Sequence, residues 1–178
     1  MLKTAKIKIQ DYDLQLCISC NQLSKRPTWA LFFQIISRLG NGSFWLMMAA
    51  ICLYRAGALT VVWLGHLILS LVVSCTLYKY LKSKTSRPRP YQVHQVIRLG
   101  EHPLDYFSFP SGHTLHAVML TIMLGYFDPI LLYAMLPFTC LVALSRMVLG
   151  LHYPSDVIVG AGIGAGIAAL TLYLSPWL

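Results

Sequence analysis

The residues best suited to chemistry lie in three short motifs at the ends of apolar segments. The first motif is Lys82 with Arg89-Pro90, the second is Pro110-Ser111-Gly112-His113, and the third is Ser145-Arg146 with His152 and Asp156. Together they supply three permanent cations, two imidazoles, two hydroxyls and a carboxylate. Such a set can hold a phosphate group, attack its phosphorus and protonate its leaving group. The sequence therefore predicts one phosphate-handling site.

The cations and the helix start form the binding part of this predicted site. Lys82, Arg89 and Arg146 suit a phosphate clamp, because an arginine fork binds two oxygens and a lysine adds a point charge. Ser111 suits a helix N-cap, and Gly112 lets exposed backbone amides approach an anion. Each feature alone also fits a simpler role, such as an interfacial anchor or a capped helix.

The histidines form the reactive part. Pro154 suits the first turn of a helix, which places Asp156 in that turn, near His152. We expect the Asp156 carboxylate to accept the proton of one His152 ring nitrogen, so that the other nitrogen is free to attack phosphorus. His113 is then the general acid and base, and the chemistry needs no metal and no other cofactor.

Composition places this site in a membrane protein. The chain of 178 residues is 57% hydrophobic and only 11% charged, and its mean hydropathy is +0.63. Because no polar linker separates the apolar stretches, we predict one domain over residues 1–178. The net charge of +8 comes from cations beside predicted membrane edges, so the bilayer and anionic lipid headgroups are expected partners and nucleic acid is not.

The apolar segments predict an all-α bundle of about five to six transmembrane helices. Residues 1–27 are expected to lie at the interface, and residues 28–55 form a first membrane segment that is broken at Gly40-Asn41-Gly42. Further spans are predicted over residues 56–81, 112–127, 129–149 and 154–173, and the active-site loop over residues 82–111. Since each motif lies at the end of a span, all three reach the same membrane face. The side of the N-terminus stays open.

Several other reactive side chains are better explained by structure. His116 follows His113 by three residues, but no acidic residue in that segment completes a zinc site, and His66 lies inside a span. The cysteines suit small apolar fillers, with the pair Cys17 and Cys20 left open. The last span contains small residues that predict close helix packing rather than a nucleotide loop: Gly160, Gly162, Gly164 and Gly166.

The three motifs resemble the signature of the type 2 phosphatidic acid phosphatases, Lys-x6-Arg-Pro, Pro-Ser-Gly-His and Ser-Arg-x5-His-x3-Asp. All eleven positions match: Lys82, Arg89, Pro90, Pro110, Ser111, Gly112, His113, Ser145, Arg146, His152 and Asp156. The resemblance implies a helical membrane fold that is related to the vanadium-dependent haloperoxidases. It also implies a phosphohistidine mechanism, with the same residue roles that the chemistry suggests.

The resemblance further implies a function and a location. It implies a metal-independent lipid phosphatase of the bacterial inner membrane whose site faces the periplasm. The implied substrates are undecaprenyl diphosphate, phosphatidylglycerol phosphate, phosphatidic acid and lipid A 1-phosphate. A haloperoxidase is disfavoured because those enzymes are soluble. The other alternative is a membrane protein that binds or carries anionic headgroups without cleaving them, and such a protein would not need His113, His152 and Asp156.

Overall fold

Helices form the regular structure of residues 2–56 and 60–174, which are the residues that the computed structural model describes. The α-helices of this part are α1 Leu2–Asn21, α2 Pro27–Leu39, α3 Ser43–Ala56, α4 Thr60–Thr85, α5 Pro90–Val93, α6 Gly112–Phe127, α7 Leu132–Val148 and α8 Pro154–Leu174. Short 3₁₀ turns at Gln22–Lys25 and Pro129–Leu131 precede α2 and α7. The predicted all-α architecture is confirmed.

The bilayer spans can be assessed from helix length and apolar composition. Three segments are long and apolar enough to cross a bilayer, Val62–Val93, Pro129–Val148 and Pro154–Leu174. Helices α2 and α3 together also meet these criteria, as one span that is bent by 49°. The predicted break is therefore confirmed, and within it Gly42 has a φ of +145°, which favours glycine. α6 has 16 residues and is about 24 Å long, shorter than a bilayer core of about 30 Å. The described part thus has three or four candidate spans, against the five to six predicted.

α6 lies at the centre of the bundle and packs most closely against α8. A Cβ added at Gly160 would lie 2.6 Å from the carbonyl oxygen of Ser111, and one at Gly164 would lie 2.2 Å from that of Leu115. Added Cβ atoms at the other two predicted glycines would meet no described atom within 4 Å. Close packing is therefore confirmed for the two glycines that are four residues apart and share a helix face.

One helix boundary differs from the prediction. α4 continues to Thr85, so Lys82 lies in its last turn and not in a loop. The apolar pattern ends at Leu81, but backbone hydrogen bonds continue through polar residues where long side chains can reach solvent. Ser86, with a φ of +45°, follows the helix. The loop that joins α4 to α6 therefore begins after Thr85 and contains the short helix α5.

Replacing Gly164 with alanine should destabilise the bundle, because the new Cβ would lie 2.2 Å from the Leu115 oxygen. Overpacking of this kind costs roughly 1 to 3 kcal/mol. Gly162→Ala is the matched control, since its Cβ would meet no described atom within 4 Å. Thermal unfolding in detergent should give a lower Tm for Gly164→Ala alone. Equal Tm values for the two variants would contradict this packing.

Candidate active site

A cavity of about 460 Å³ brings the three motifs together. Residues of every motif line this site cavity: Lys82, Arg89, Gly112, His113, Arg146 and His152. Ser111 and Asp156 are fully buried beside it, and the Ser111 amide donates to the Asp156 carbonyl oxygen at 3.1 Å. The end of α4, the start of α6, the end of α7 and the start of α8 therefore meet at one place, as their positions in the sequence predict.

Two of the cations are held by backbone carbonyl groups of neighbouring loops. The Lys82 Nζ donates to the Phe107 oxygen at 2.9 Å, and the Arg89 Nη1 donates to the Leu151 oxygen at 2.9 Å. Both side chains are almost fully buried. Buried charges are costly unless hydrogen bonds and opposite charges compensate them. These bonds offset part of that cost and fix the directions of the two cationic groups.

Arg146, the third cation, is buried in the wall of the site cavity, and only part of its hydrogen-bonding capacity is used. Its Nη1 donates to the Ser37 hydroxyl on α2. Its Nε has no hydrogen-bond partner among the described residues, although it is buried. A buried donor without a partner is unfavourable and calls for an explanation. An anion in the site cavity would supply the missing acceptor.

The His152 imidazole is fixed in one tautomer. Its Nδ1–H donates to the Ser108 carbonyl oxygen at 2.6 Å, and because a carbonyl only accepts, Nε2 keeps its lone pair. This Nε2 lies 3.4 Å from the Arg89 Nη1. Burial, followed by the positive charges of Arg146, Arg89 and Lys82, holds the pKa of His152 well below its ordinary value. The ring is therefore neutral, and its Nε2 lone pair points at the cations and accepts a long hydrogen bond from the Arg89 Nη1.

Asp156 occupies a different position from the one expected. Its Oδ2 lies 3.7 Å from the His152 Nδ1, beyond hydrogen-bond distance, and accepts from the Tyr153 amide at 2.8 Å. Its Oδ1 accepts from the Arg87 Nη1 at 2.7 Å. The cause is local, because a carboxylate in the third position of a helix reaches back to the N-cap amide. Asp156 thus holds the turn that carries His152, while the Ser108 carbonyl takes the expected orienting position.

His113 lies at the start of α6, close to the break between α2 and α3. Its Nε2 hydrogen-bonds to the side-chain amide of Asn41, and both residues line the site cavity. Sequence reasoning identified the break but not the contribution of Asn41 to the site. The neighbouring Gly112 lies against the Tyr78 ring, which an added Cβ would meet at 3.5 Å. A second imidazole is therefore available to exchange a proton with a group bound in the cavity.

Comparison with known proteins identifies the family. A protein-family model described as the PAP2 superfamily matches residues 63–178 of this chain. This chain belongs to the PAP2 superfamily. A lipid A 1-phosphatase of Rhizobium johnstonii is 32% identical over 146 residues, which are 79% of this chain and 57% of that relative. The chain therefore spans less than two thirds of the length of this PAP2 relative.

Two crystal structures share the fold of this PAP2 chain. LpxE of Aquifex aeolicus gives a TM-score of 0.77 at 26% identity, over 90% of this chain and 94% of that chain. A transmembrane PAP2 type phosphatidylglycerolphosphate phosphatase from Bacillus subtilis gives a TM-score of 0.74 at 25% identity, over 95% and 87% of the two chains. The predicted helical membrane fold and family resemblance are confirmed.

Asp105 is a site residue that sequence reasoning missed. Its Oδ1 accepts from the Lys82 Nζ at 2.7 Å and from the Arg89 Nη2 at 2.6 Å. Burial alone would raise the pKa of Asp105, but hydrogen bonds and positive charge from these two cations outweigh burial and hold that pKa below its ordinary value. Asp105 is therefore ionised at neutral pH. The available signal was an acidic residue, one of two with Glu101, in an otherwise basic loop.

Arg87 links α1 to the site and was also missed. Its Nη2 donates to Asp13 of α1 at 2.8 Å, while its Nη1 donates to Asp156 and to the Ser155 hydroxyl, each at 2.7 Å. The Arg87 guanidinium lies 4.1 Å from the centre of the Tyr153 ring. A network of charges therefore joins α1 to the first turn of α8. In the sequence Arg87 resembles an ordinary interfacial cation, so only the tertiary contacts reveal it.

His152 should remain neutral in acid solution in the ligand-free protein. NMR of isotope-labelled histidine should show the Nδ1–H tautomer at about pH 6.5, where an ordinary histidine is half protonated. His152→Gln assigns the signal. Because the unfolded chain binds this proton more readily, His152 should also reduce folding stability as pH falls below about 6.5. Half-protonation of His152 at or above that pH would contradict the site described above.

Proposed function

We propose that this PAP2 protein is a membrane lipid phosphatase that works through a phosphohistidine intermediate. The observation that carries the proposal is the fixed tautomer of His152. Its Nδ1–H is held by the Ser108 carbonyl at 2.6 Å, its Nε2 lies 3.4 Å from the Arg89 Nη1, and the residue lines the site cavity together with Lys82, Arg89 and Arg146. A protein that only binds anionic headgroups needs the cations, but it does not need a neutral imidazole with an oriented lone pair.

In the first half-reaction, Nε2 of His152 attacks phosphorus, and the bond from phosphorus to the leaving oxygen breaks. Lys82, Arg89 and Arg146 balance the negative charge on the three equatorial oxygens. His113 enters this step in its protonated form, which the negative charge of the bound phosphate favours, and it donates that proton to the leaving oxygen, which belongs to a lipid alcohol or a lipid phosphate. These cations provide the electrostatic stabilisation that a metal ion provides in other phosphatases, so the proposed chemistry needs no metal.

In the second half-reaction, water attacks the phosphorus of the phosphohistidine. His113 accepts the proton of this water, the nitrogen–phosphorus bond breaks, and orthophosphate leaves. Asp156 acts indirectly, by stabilising the turn that carries His152. Ser111 and Gly112 bring the first turn of α6 to the site, where the positive end of the helix dipole favours the bound anion.

An apolar groove beside the site cavity supports a lipid as the substrate. The groove has a volume of about 600 Å³, lies between α3, α4 and α6, and is lined mainly by leucine, alanine and tryptophan side chains. It shares Gly40, Asn41 and His116 with the site cavity. A phosphate held at His152 can therefore leave its hydrocarbon tail in the groove. The names of the Rhizobium johnstonii and Bacillus subtilis relatives, which act on lipid phosphates, agree with this substrate class.

The proposed setting is the bacterial inner membrane, with residues 1–178 acting as one membrane domain. The candidate spans support a position in the bilayer, and the basic residues around the site suit a surface of anionic headgroups. The periplasmic direction of the site and the interfacial position of residues 1–27 follow from the family resemblance and from the polarity of the N-terminal segment.

Replacing His152 with alanine should lower orthophosphate release at least about a thousandfold. The assay uses purified protein in nanodiscs with undecaprenyl diphosphate, phosphatidylglycerol phosphate, phosphatidic acid and lipid A 1-phosphate. The effect should appear with every lipid that the wild type hydrolyses, because all share the same nucleophile. His66→Ala is the control, since His66 lies within α4 and does not line the site cavity. It should keep wild-type activity.

A rapid quench with labelled substrate should trap an acid-labile phosphate on the wild type and none on His152→Ala. Near-normal phosphate release by a folded His152→Ala protein would reject the mechanism. Tight binding of lipid phosphates by the wild type, without any release of phosphate, would reject the phosphatase in favour of a headgroup binder.

A further inference from the structure

Asp105 places a negative charge inside the proposed phosphate clamp. Its Oδ1 accepts from the Lys82 Nζ at 2.7 Å and from the Arg89 Nη2 at 2.6 Å. Two cations thus converge on a single oxygen atom, which is how they would also hold a phosphate oxygen. The proposed mechanism gives Asp105 no role, and a carboxylate at this position opposes the binding of any other anion.

The carboxylate lies on the accessible side of this contact. The side chains of Lys82 and Arg89 are 7% and 2% exposed, whereas that of Asp105 is 37% exposed. Both cations also keep their bonds to the backbone oxygens of Phe107 and Leu151. If the carboxylate turned towards solvent, these bonds would hold the two cations in place. Asp105 is therefore the partner that can leave.

The charge balance indicates how Asp105 affects an incoming anion. Lys82, Arg89 and Arg146 contribute three positive charges, and Asp105 lowers the net charge of the clamp by one, to two. A phosphate monoester carries about −1.5 to −2 at neutral pH. Asp105 therefore balances part of the positive charge that a bound phosphate would otherwise balance, and the two anions compete for it. Without Asp105, orthophosphate would meet an excess of buried positive charge and would bind more tightly.

We propose that Asp105 is a resident counter-anion that the phosphate of any ligand must displace, so that orthophosphate, which has no other contacts to offset this cost, binds only weakly. A lipid substrate gains binding free energy from its tail in the apolar groove and can use it to displace the carboxylate. Orthophosphate has no tail and lacks this gain. After hydrolysis, Asp105 returns to Lys82 and Arg89 and promotes release of orthophosphate. This inference rests on the proposed function, since it treats the cavity as a lipid phosphate site.

The test measures the binding of inorganic phosphate by isothermal titration calorimetry, without any turnover. Asp105→Asn should lower the Kd of orthophosphate at least about tenfold relative to the wild type. Asp105→Glu, which keeps the charge, should retain weak binding. Glu101→Gln is the matched control, because it removes one negative charge from the same loop, where Glu101 pairs with Arg38 at 3.0 Å. Its Kd should change far less than that of Asp105→Asn, because the Glu101 carboxylate is bonded to Arg38 and not to Lys82 or Arg89.

A kinetic measurement complements the binding assay. Asp105→Asn should be inhibited more strongly by orthophosphate, with a lower inhibition constant than that of the wild type. A Kd for orthophosphate that is unchanged or higher in folded Asp105→Asn would overturn the proposal. Failure of both Asp105→Asn and Asp105→Ala to fold would also overturn it, since Asp105 would then be structural.

The two proposals fail in different ways. A wild type that releases no phosphate from any lipid, combined with tighter orthophosphate binding by Asp105→Asn, would refute the lipid phosphatase and support the counter-anion. Normal lipid hydrolysis by the wild type, combined with an unchanged Kd in Asp105→Asn, would support the lipid phosphatase and refute the counter-anion.

Discussion

Buried positive charge is the constraint on which the rest of the site depends. Lys82, Arg89 and Arg146 are each no more than 5% exposed as whole residues, and charges buried to this degree are tolerated only when they are compensated. Backbone carbonyl groups and Asp105 compensate two of them, which fixes the path of the loop between α4 and α6. Burial and these charges together hold the pKa of His152 well below its ordinary value, and the Nε of Arg146 has no hydrogen-bond partner in the part of the chain that the structure describes. The pocket is therefore arranged for an anion before any ligand binds.

The residues that meet at the site cavity could be predicted, because their side-chain types and their positions at helix ends are visible in the sequence. The group that orients His152 could not, since the Ser108 backbone oxygen provides it and every residue has such an oxygen. Asp156 was expected in that role, but a carboxylate at the third position of α8 also satisfies the N-cap amide, and local geometry favours the amide. Asn41 reaches His113 across 72 residues of sequence, so only the fold brings them together.

The fold was predictable to a similar extent. Apolar composition and the glycines of α8 indicate a packed helical membrane protein, and the break before α3 follows from its two glycines. Periodicity alone did not show that an added Cβ at Gly160 or Gly164 would collide with α6, whereas one at Gly162 or Gly166 would meet no described atom within 4 Å. The link from Asp13 to Arg87 shows the same limit. Pairing of charges across distant helices depends on tertiary packing, which a local pattern does not specify.

The central claim is that His152 and the three cations act together on one phosphorus atom. A crystal structure with orthovanadate, which mimics pentacoordinate phosphorus, tests this claim most directly. The account predicts vanadium bonded to the Nε2 of His152, with equatorial oxygens accepting from Lys82, Arg89 and the Nε of Arg146. Vanadate bound outside the site cavity, or bound within it without contact to that nitrogen, would contradict the account.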